Sequence, residues 1–269
     1  MTTASVNSDT GSSSGVMGTQ AIGRTLAVLE LFRDQSGDLG ISEVAEALSL
    51  SVSTAHRIVR ALTLKGYLGQ DLRTDRYFLG RSAALLGAAA SQRLGLEGVQ
   101  TVVERLATET GESVNFGVRD GDDIVVVVRA VSKHPLRLAQ EPGSRLPVYA
   151  SSMGKATISF HGQSVDEGLC SLTTPLRALT DHTITSKSRL RDELESTRAR
   201  GYSIDDEEAI PGVRCVGAPI LGPDGSVLGA LAVQGPAVRM PPSRLETLGP
   251  VVIVAAAELA DLLPVSRRF

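Results

Sequence analysis

The chain has 269 residues, of which 42% are hydrophobic, so it is long enough for two compact domains with apolar cores. Its formal net charge of −3 argues against a protein that coats nucleic acid indiscriminately, although a local basic patch is compatible with that total. Cys170 and Cys215 are the two cysteines, and their wide separation signals neither a disulfide framework nor a zinc site. We expect a reducing, cytoplasmic location.

The two ends of the chain are not expected to enter a membrane. Residues 1–18 are rich in Ser, Thr and Gly without an apolar core, which predicts a disordered tail rather than a secretory signal. Near the C-terminus, the apolar run "VVIVAAAELADLL" is interrupted by Glu258 and Asp261 and is too short to span a bilayer. We therefore expect no membrane partner.

Residues 19–80 are predicted to form a winged helix-turn-helix. Apolar residues at helical spacing indicate a first helix over Thr19–Phe32. After a turn-rich break, a second, short helix is expected near Ile41 with Ser42 as its N-cap. A third helix is expected over Ser51–Lys65, capped by its leading serine, and a hairpin follows as the wing.

Basic charge in this domain is concentrated on the third helix and the hairpin. The helix face opposite the apolar one carries hydrogen-bond donors and no carboxylate. Arginines and hydroxyls in that position are typical of a recognition helix in the major groove. The alternative is a merely solvated charged face, and His56 is as compatible with an ordinary surface histidine. We predict DNA contacts by Ser51, Ser53, Thr54, His56, Arg57, Arg60, Arg73 and Arg76.

The rest of the chain is predicted to form a linker helix and an α+β domain. Residues 81–97 are rich in Ala and Leu without proline, which favours a connecting helix. Within residues 98–269, the Asp120-Gly121 pair and the turn at Gly222–Gly225 each separate two strand-like runs and predict hairpins. An amphipathic helix ending at Gly201 and a final helix complete the pattern. Hairpins mixed with helices favour an antiparallel sheet.

The segment "YASSMGKATI", residues 149–158, contains a Gly-Lys pair of the kind found in phosphate-binding loops. Such a loop needs a glycine five positions before the pair and a Ser or Thr after the lysine, but this chain has Tyr149 and Ala156 there. A helix starting near Ser152 would still present free amides to an anionic or carbonyl-bearing ligand. We expect Lys155 to brace that helix start or its neighbour rather than contact the ligand.

An enzymatic function is not predicted. His134, His161 and His182 lie in polar or turn-rich contexts without metal-ligand spacing, and neither GxSxG nor HExxH occurs. The acidic run "DDEE", residues 205–208, is interpreted as a solvated loop at a strand edge. We expect no catalytic residue, no cofactor and no metal.

Three segments together resemble the IclR family of bacterial transcriptional regulators: "SLSVSTAHRIVRALTLKGYL", "RLPVYASSMGKA" and "GYSIDDEEAIPGVRCVGAPILGPDGSVLGALAVQGPAVRM". The resemblance covers nearly everything from Thr19 onward. It implies a winged helix-turn-helix, a linker helix that helps dimerisation, and a GAF-like effector-binding domain. It also implies repressors or activators that bind double-stranded operator DNA as homodimers or dimers of dimers and respond to a small metabolite, often an organic or aromatic acid.

The resemblance further implies which residues contact the effector: Leu138, Leu146, Ser152, Met153, Asp205, Val213, Cys215, Ala232 and Gln234. Strand alternation around the Gly222–Gly225 turn agrees, because it puts the last four on one sheet face, with Cys215 roughly opposite Ala232. Cys215 is interpreted as a small buried hydrophobe rather than a redox switch.

Ala232 and Gln234 depart from the carboxylate-binding members of the family, which tend to carry serine at both positions. Losing one hydroxyl and gaining an amide argues against a small keto-acid or similar ligand and leaves room for a larger or more neutral one, so the identity of the ligand stays open. A second hypothesis is that the C-terminal domain only oligomerises and senses no ligand.

Overall fold

A computed structural model of the protein describes residues 17–35 and 37–263. The tail predicted to be disordered, residues 1–18, lies outside the described residues except for Met17 and Gly18, which begin the first helix. The chain divides into two compact units, with the division between Ala89 and Ala90.

The first unit contains three helices and a two-stranded hairpin. The helices are α1 (Met17–Asp34), α2 (Ile41–Ala47) and α3 (Val52–Leu64). Strands β1 (Leu68–Gln70) and β2 (Tyr77–Leu79) pair antiparallel. This is the predicted winged helix-turn-helix, and its core is formed by Val28, Phe32, Val44, Ala45, Ala55, Val59, Leu62, Leu68 and Tyr77.

The starts of α2 and α3 are stabilised by different groups. Ser51 caps α3 as predicted, since its hydroxyl accepts a hydrogen bond from the Thr54 N–H at 3.2 Å. The prediction that Ser42 caps α2 is wrong, because the cap residue is Gly40, two positions earlier, and Ser42 lies inside the helix. The Gly40 N–H donates instead to the Glu43 carboxylate, at 2.6 Å. The carboxylate in the first turn therefore binds the N–H of the cap residue, and no cap side chain accepts from the helix.

The linker helix is shorter than its sequence predicts. Helix α4 (Arg81–Arg93) ends before residue 97 because Gly95 adopts a left-handed conformation, with φ of +72°, ahead of α5 (Leu96–Thr110). No residue of α4 is buried.

An antiparallel sheet of six strands forms the centre of the second unit, in the order β5-β4-β3-β8-β7-β6. Helices α5 and α9 pack on one face, and α6 packs on the other with α7 and α8 over it. The prediction of an α+β domain is confirmed. The remaining elements are β3 (Ser113–Asp120), β4 (Asp123–Ala130), β5 (Arg145–Pro147), α6 (Ser152–Ser159), α7 (Val165–Cys170), α8 (Lys187–Arg200), β6 (Ser203–Asp206), β7 (Val213–Leu221), β8 (Val227–Pro236) and α9 (Pro242–Leu262).

Helix α9 contains most of the apolar run noted near the C-terminus. One side of it is buried against the sheet and α5, through Leu245, Leu248, Val252, Ala255, Ala256 and Leu259. Across residues 17–35 and 37–263, no helix combines the length and apolar character needed to cross a membrane.

Both predicted hairpins are present, but the register of the second differs from the prediction. Cys215 pairs with Gln234 rather than with Ala232. The turn takes in one more residue than expected, because the Gly222 N–H donates to the Ser226 carbonyl at 2.8 Å, and a bulge beside the turn adds a further shift. A shift of two residues preserves the strand alternation, so these side chains still share one face.

Candidate functional site

The outward face of α3 carries hydrogen-bond donors and no carboxylate. Ala55 and Val59 are fully buried, which turns the opposite side of the helix to solvent. Within the described residues, Arg57 and Arg60 form no ion pair and no side-chain hydrogen bond. This face is exposed at Ser53, His56, Arg57 and Arg60.

The first turn of α3 is internally hydrogen-bonded. The Ser51 hydroxyl lies 3.1 Å from the Ser53 hydroxyl and 2.8 Å from that of Thr54. Thr54 is half-buried, whereas the other two are exposed. The turn is thereby held as a compact set of hydroxyls at the positive end of the helix.

The two arginines predicted to contact DNA from the hairpin have different surroundings. Arg73 is exposed at the turn. Arg76 donates to the Asp38 carbonyl at 2.6 and 2.9 Å and to the Glu43 carboxylate at 2.7 Å. Hydrogen bonds from the Gly40 amide and from Arg76 lower the pKa of Glu43. The guanidinium of Arg76 therefore ties the hairpin to α2, a role that sequence reasoning missed.

In the second unit, a small cavity collects most of the residues expected to contact an effector. It is lined by Leu146, Ser152, Met153, Asp205, Val213, Cys215, Ala232 and Gln234. Leu138 is not among the lining residues; its carbonyl accepts a hydrogen bond from the Ser113 hydroxyl at 2.7 Å. Sequence reasoning missed four further lining residues, Gln140, Ser151, Ala209 and Ile210.

The N-terminus of α6 lines this cavity with Ser151, Ser152 and Met153. Ser151 caps the helix by accepting from the Gly154 N–H at 3.2 Å. In the part of the chain that the structure describes, the N–H groups of Ser152 and Met153 have no hydrogen-bond acceptor. Strand β7 approaches closely, since a Cβ added at Gly217 would lie 2.9 Å from the carbonyl carbon of Ser152. Two free amides at the positive helix end favour a ligand oxygen.

The Gly-Lys pair of "YASSMGKATI" has a structural explanation. A side chain at Gly154 would overlap the backbone of Val148, so only glycine allows this contact. Lys155 is fully buried, and its ammonium forms an ion pair with Glu208 and lies 3.7 Å from Glu193. The expectation that Lys155 braces the helix is confirmed, and its charge is neutralised inside the unit.

The interpretation of residues 205–208 as a solvated loop is wrong for two of the four acids. Asp205 and Glu208 are buried, whereas Asp206 is exposed. Strand alternation turns Asp205 inward beside Cys215, and the ammonium of Lys155 compensates the buried charge of Glu208. The first and last acids of the run are therefore interior, whereas Asp206 between them faces the solvent.

Burial raises the pKa values of two side chains that line the cavity, Asp205 and Cys215. It raises the pKa of Asp205 to about 7, against the lowering effect of Lys155. The Asp205 carboxylate accepts hydrogen bonds from the amides of Glu208 and Ala209, at 2.8 and 3.3 Å. Burial, and then the neighbouring Asp205, raise the pKa of the Cys215 thiol well above its usual range. Cys215 is thus a protonated, buried thiol, as expected of a small hydrophobe.

Gln234 leaves an unsatisfied donor in the cavity. It is 4% exposed, and its Nε2 is buried without a hydrogen-bond partner within the described residues. The volume of the cavity is only about 10 Å³. A buried donor, two helix amides and a carboxyl group around a small space are suited to binding a polar ligand. Across the residues that the structure describes, no group of three His, Cys, Asp or Glu side chains is arranged to hold a metal ion.

Comparison with known proteins identifies the family. The family model described as "Bacterial transcriptional regulator IclR C-terminal" matches residues 89–261. The model described as "IclR helix-turn-helix domain" matches residues 21–72. The chain belongs to the IclR family. The relatives that this chain matches are transcriptional regulators and repressors rather than enzymes, which confirms the prediction that the chain is not an enzyme.

Two relatives and one solved structure illustrate the similarity. The transcriptional regulator BhcR of Paracoccus denitrificans is 35% identical over 90% of this chain and 87% of its own. The repressor IclR of Escherichia coli is 31% identical over 89% and 88%. An IclR homologue from Microbacterium hydrocarbonoxydans, solved with 4-hydroxybenzoate, is 24% identical with a TM-score of 0.78, covering 90% of this chain and 98% of its own. At that identity the likeness shows the fold.

Proposed function

We propose that this IclR-family regulator binds a specific operator through α3 and that a small molecule in the cavity of the second unit changes this binding. The observation that carries the proposal is the exposed, carboxylate-free face of α3 with its two unpaired arginines. Arg57 and Arg60 would contact base edges or phosphates of double-stranded DNA, and the hydroxyls of the first turn would contact the backbone. Arg73 would contact the flanking backbone, and Arg76 would support the hairpin.

Replacing Arg57 with Ala tests operator binding. One lost contact of this kind costs about 1–3 kcal/mol of binding free energy, and the exposed site predicts an unchanged thermal midpoint. Gel shifts on a duplex selected by the protein from a random-sequence pool measure the first quantity, and thermal unfolding measures the second. An unchanged gel shift would argue against α3 as the reading helix.

The effector proposed for the cavity is a small molecule with an oxygen acceptor and an apolar body, such as an organic or aromatic acid. The free amides of Ser152 and Met153 and the Nε2 of Gln234 would donate to its carboxylate or carbonyl oxygens. The 4-hydroxybenzoate complex of the Microbacterium homologue supports a ligand of this class in this fold. Near neutral pH, a partly protonated Asp205 would donate to a further oxygen.

Ligand entry would require the cavity to open. Its present space accommodates about one water molecule. Gln140 lines it and accepts a hydrogen bond from the Asn115 side chain at 2.7 Å. A ligand would therefore displace at least one lining side chain, and its affinity would include the cost of that movement.

A thermal-shift screen with small acids, alcohols and amides tests the effector proposal, because a bound ligand raises the melting temperature. Gln234→Leu is the matched variant. It replaces the amide and its unsatisfied donor with an apolar side chain of similar size, so we expect equal or higher stability without ligand and a smaller ligand-induced rise in melting temperature. No stabilisation by any compound, in protein that still binds its operator, would favour the hypothesis that this unit only oligomerises.

The proposed assembly is a homodimer or a dimer of dimers. Helix α4 leaves Leu85 and Leu86 exposed by 69% and 59%, which supports a role for the linker helix in pairing two copies. Sedimentation of Leu85→Glu, compared with the parent protein, would test this by the loss of the dimer. A retained dimer would exclude that face from the interface.

A further inference from the structure

A cleft between α1 and α3 brings three arginines of the first unit together. Arg24 and Thr25 line it from α1, and Thr54, Arg57 and Arg60 line it from α3. The volume of the cleft is about 520 Å³. None of its lining residues is acidic.

The arginines of this cleft differ from others in the same unit. Arg33 is paired with Asp34 at 2.7 Å, and Arg76 with Glu43 at 2.7 Å. Arg24, at the outer surface of α1, forms no ion pair or side-chain hydrogen bond within the described residues, as is true of its two partners on α3. Three guanidinium groups facing one cleft without a carboxylate create a positive potential that an anion would neutralise.

The position of the cleft points to the anion. It shares Arg57 and Arg60 with the outward face of α3, so a duplex bound to that face brings its backbone to the mouth of the cleft. Double-stranded DNA carries a negative charge about every 1.7 Å along its axis, and arginine binds phosphate through a planar fork of donors. Phosphate contacts from outside the reading helix position a protein on DNA without selecting its sequence.

We infer that Arg24 is a DNA-contact residue on α1 and that the cleft it forms with Arg57 and Arg60 binds a backbone phosphate of the operator. This inference rests on the proposed binding of operator DNA through α3. It adds a contact from α1, a helix to which the sequence analysis assigned no DNA contact.

The test compares Arg24→Gln, Arg24→Lys and the control Arg33→Gln by fluorescence anisotropy across a salt series. The control removes the same charge from the same helix, outside the cleft. The duplexes are one selected by the protein from a random-sequence pool and an unrelated one of equal length. For Arg24→Gln we expect about two- to fivefold weaker binding to both duplexes and a salt-dependence slope smaller by about 1. Arg24→Lys should keep the slope, and Arg33→Gln should match the parent protein.

Three outcomes would overturn the inference. If Arg24→Gln leaves affinity and slope unchanged while Arg57→Gln weakens binding, operator recognition by α3 stands and the cleft contact fails. If Arg24→Gln weakens binding only by changing the sedimentation behaviour, with the slope preserved, the cleft belongs to an interface between copies. If Arg57→Gln has no effect either, the proposed operator binding through α3 fails as well.

Discussion

Replacing Lys155 with Met probes the buried ion pair beneath the effector cavity. Methionine keeps most of the apolar stem of lysine but removes the ammonium that pairs with Glu208. The side chains of Lys155 and Glu208 are 0% and 7% exposed, so water cannot replace the lost partner. The second oxygen of Glu208, Oε2, already has no hydrogen-bond partner in the described part of the chain. The variant thus leaves a buried carboxylate without compensation.

The expected cost is large compared with that of a surface pair. Removing one member of a buried ion pair destabilises a protein by about 3–5 kcal/mol. For a unit of this size, with about 2–4 °C lost per kcal/mol, the thermal midpoint should fall by roughly 6–20 °C. Burial already raises the pKa of Glu208, and the loss of Lys155 would raise it further. The cost should therefore shrink as the pH falls and Glu208 becomes neutral.

Scanning calorimetry from pH 5 to 8 measures this prediction. Arg191→Met is the control, because Arg191 pairs with Asp166 at the surface, with side chains 44% and 57% exposed. Such pairs contribute about 0–1 kcal/mol. The double variant Lys155→Met with Glu208→Gln removes both charges and should recover most of the lost stability. A cost below about 1 kcal/mol for Lys155→Met, or no recovery in the double variant, would refute the assignment of Lys155 as a buried brace.

Two further predictions concern the cavity and the helix beside it. The pKa of Asp205 is raised by burial from 3.8 to about 7, so its neutral form favours folding. This stability is fully present below about pH 4 and is lost as the pH rises through 7, on the order of 4 kcal/mol in total. Asp205→Asn should flatten the pH dependence of urea unfolding in that window, and an unchanged profile would contradict it. Gly154→Ala should destabilise the second unit by several kcal/mol because its Cβ would overlap the backbone of Val148. The control Gly87→Ala, on helix α4 in open space, should stabilise by about 0.5–1 kcal/mol; similar effects at both glycines would disprove the packing argument.

Local features of the sequence were sufficient to predict the helices and hairpins and the donor-rich outward face of α3. The Ser51 cap, and the hairpins that turn at Gly121 and Gly225, depend on residues within a few positions of each other. The alternation of apolar and donor residues along α3 likewise predicts its buried and exposed sides. These features follow from backbone conformation and helical periodicity, which do not require knowledge of distant contacts.

Features that depend on partners far along the chain were decided only by the tertiary structure. Arg76 reaches Glu43 across 33 positions, so its place in the hairpin did not show that its guanidinium is occupied. Lys155 pairs with Glu208, 53 positions further along the chain. This pairing makes it possible to bury Glu208, which the sequence analysis predicted to be solvent-exposed. The sequence by itself determined the family, the fold class and the donor-rich face of α3. Tertiary packing decided which charges are neutralised internally, because burial and ion pairing depend on what other parts of the chain bring alongside.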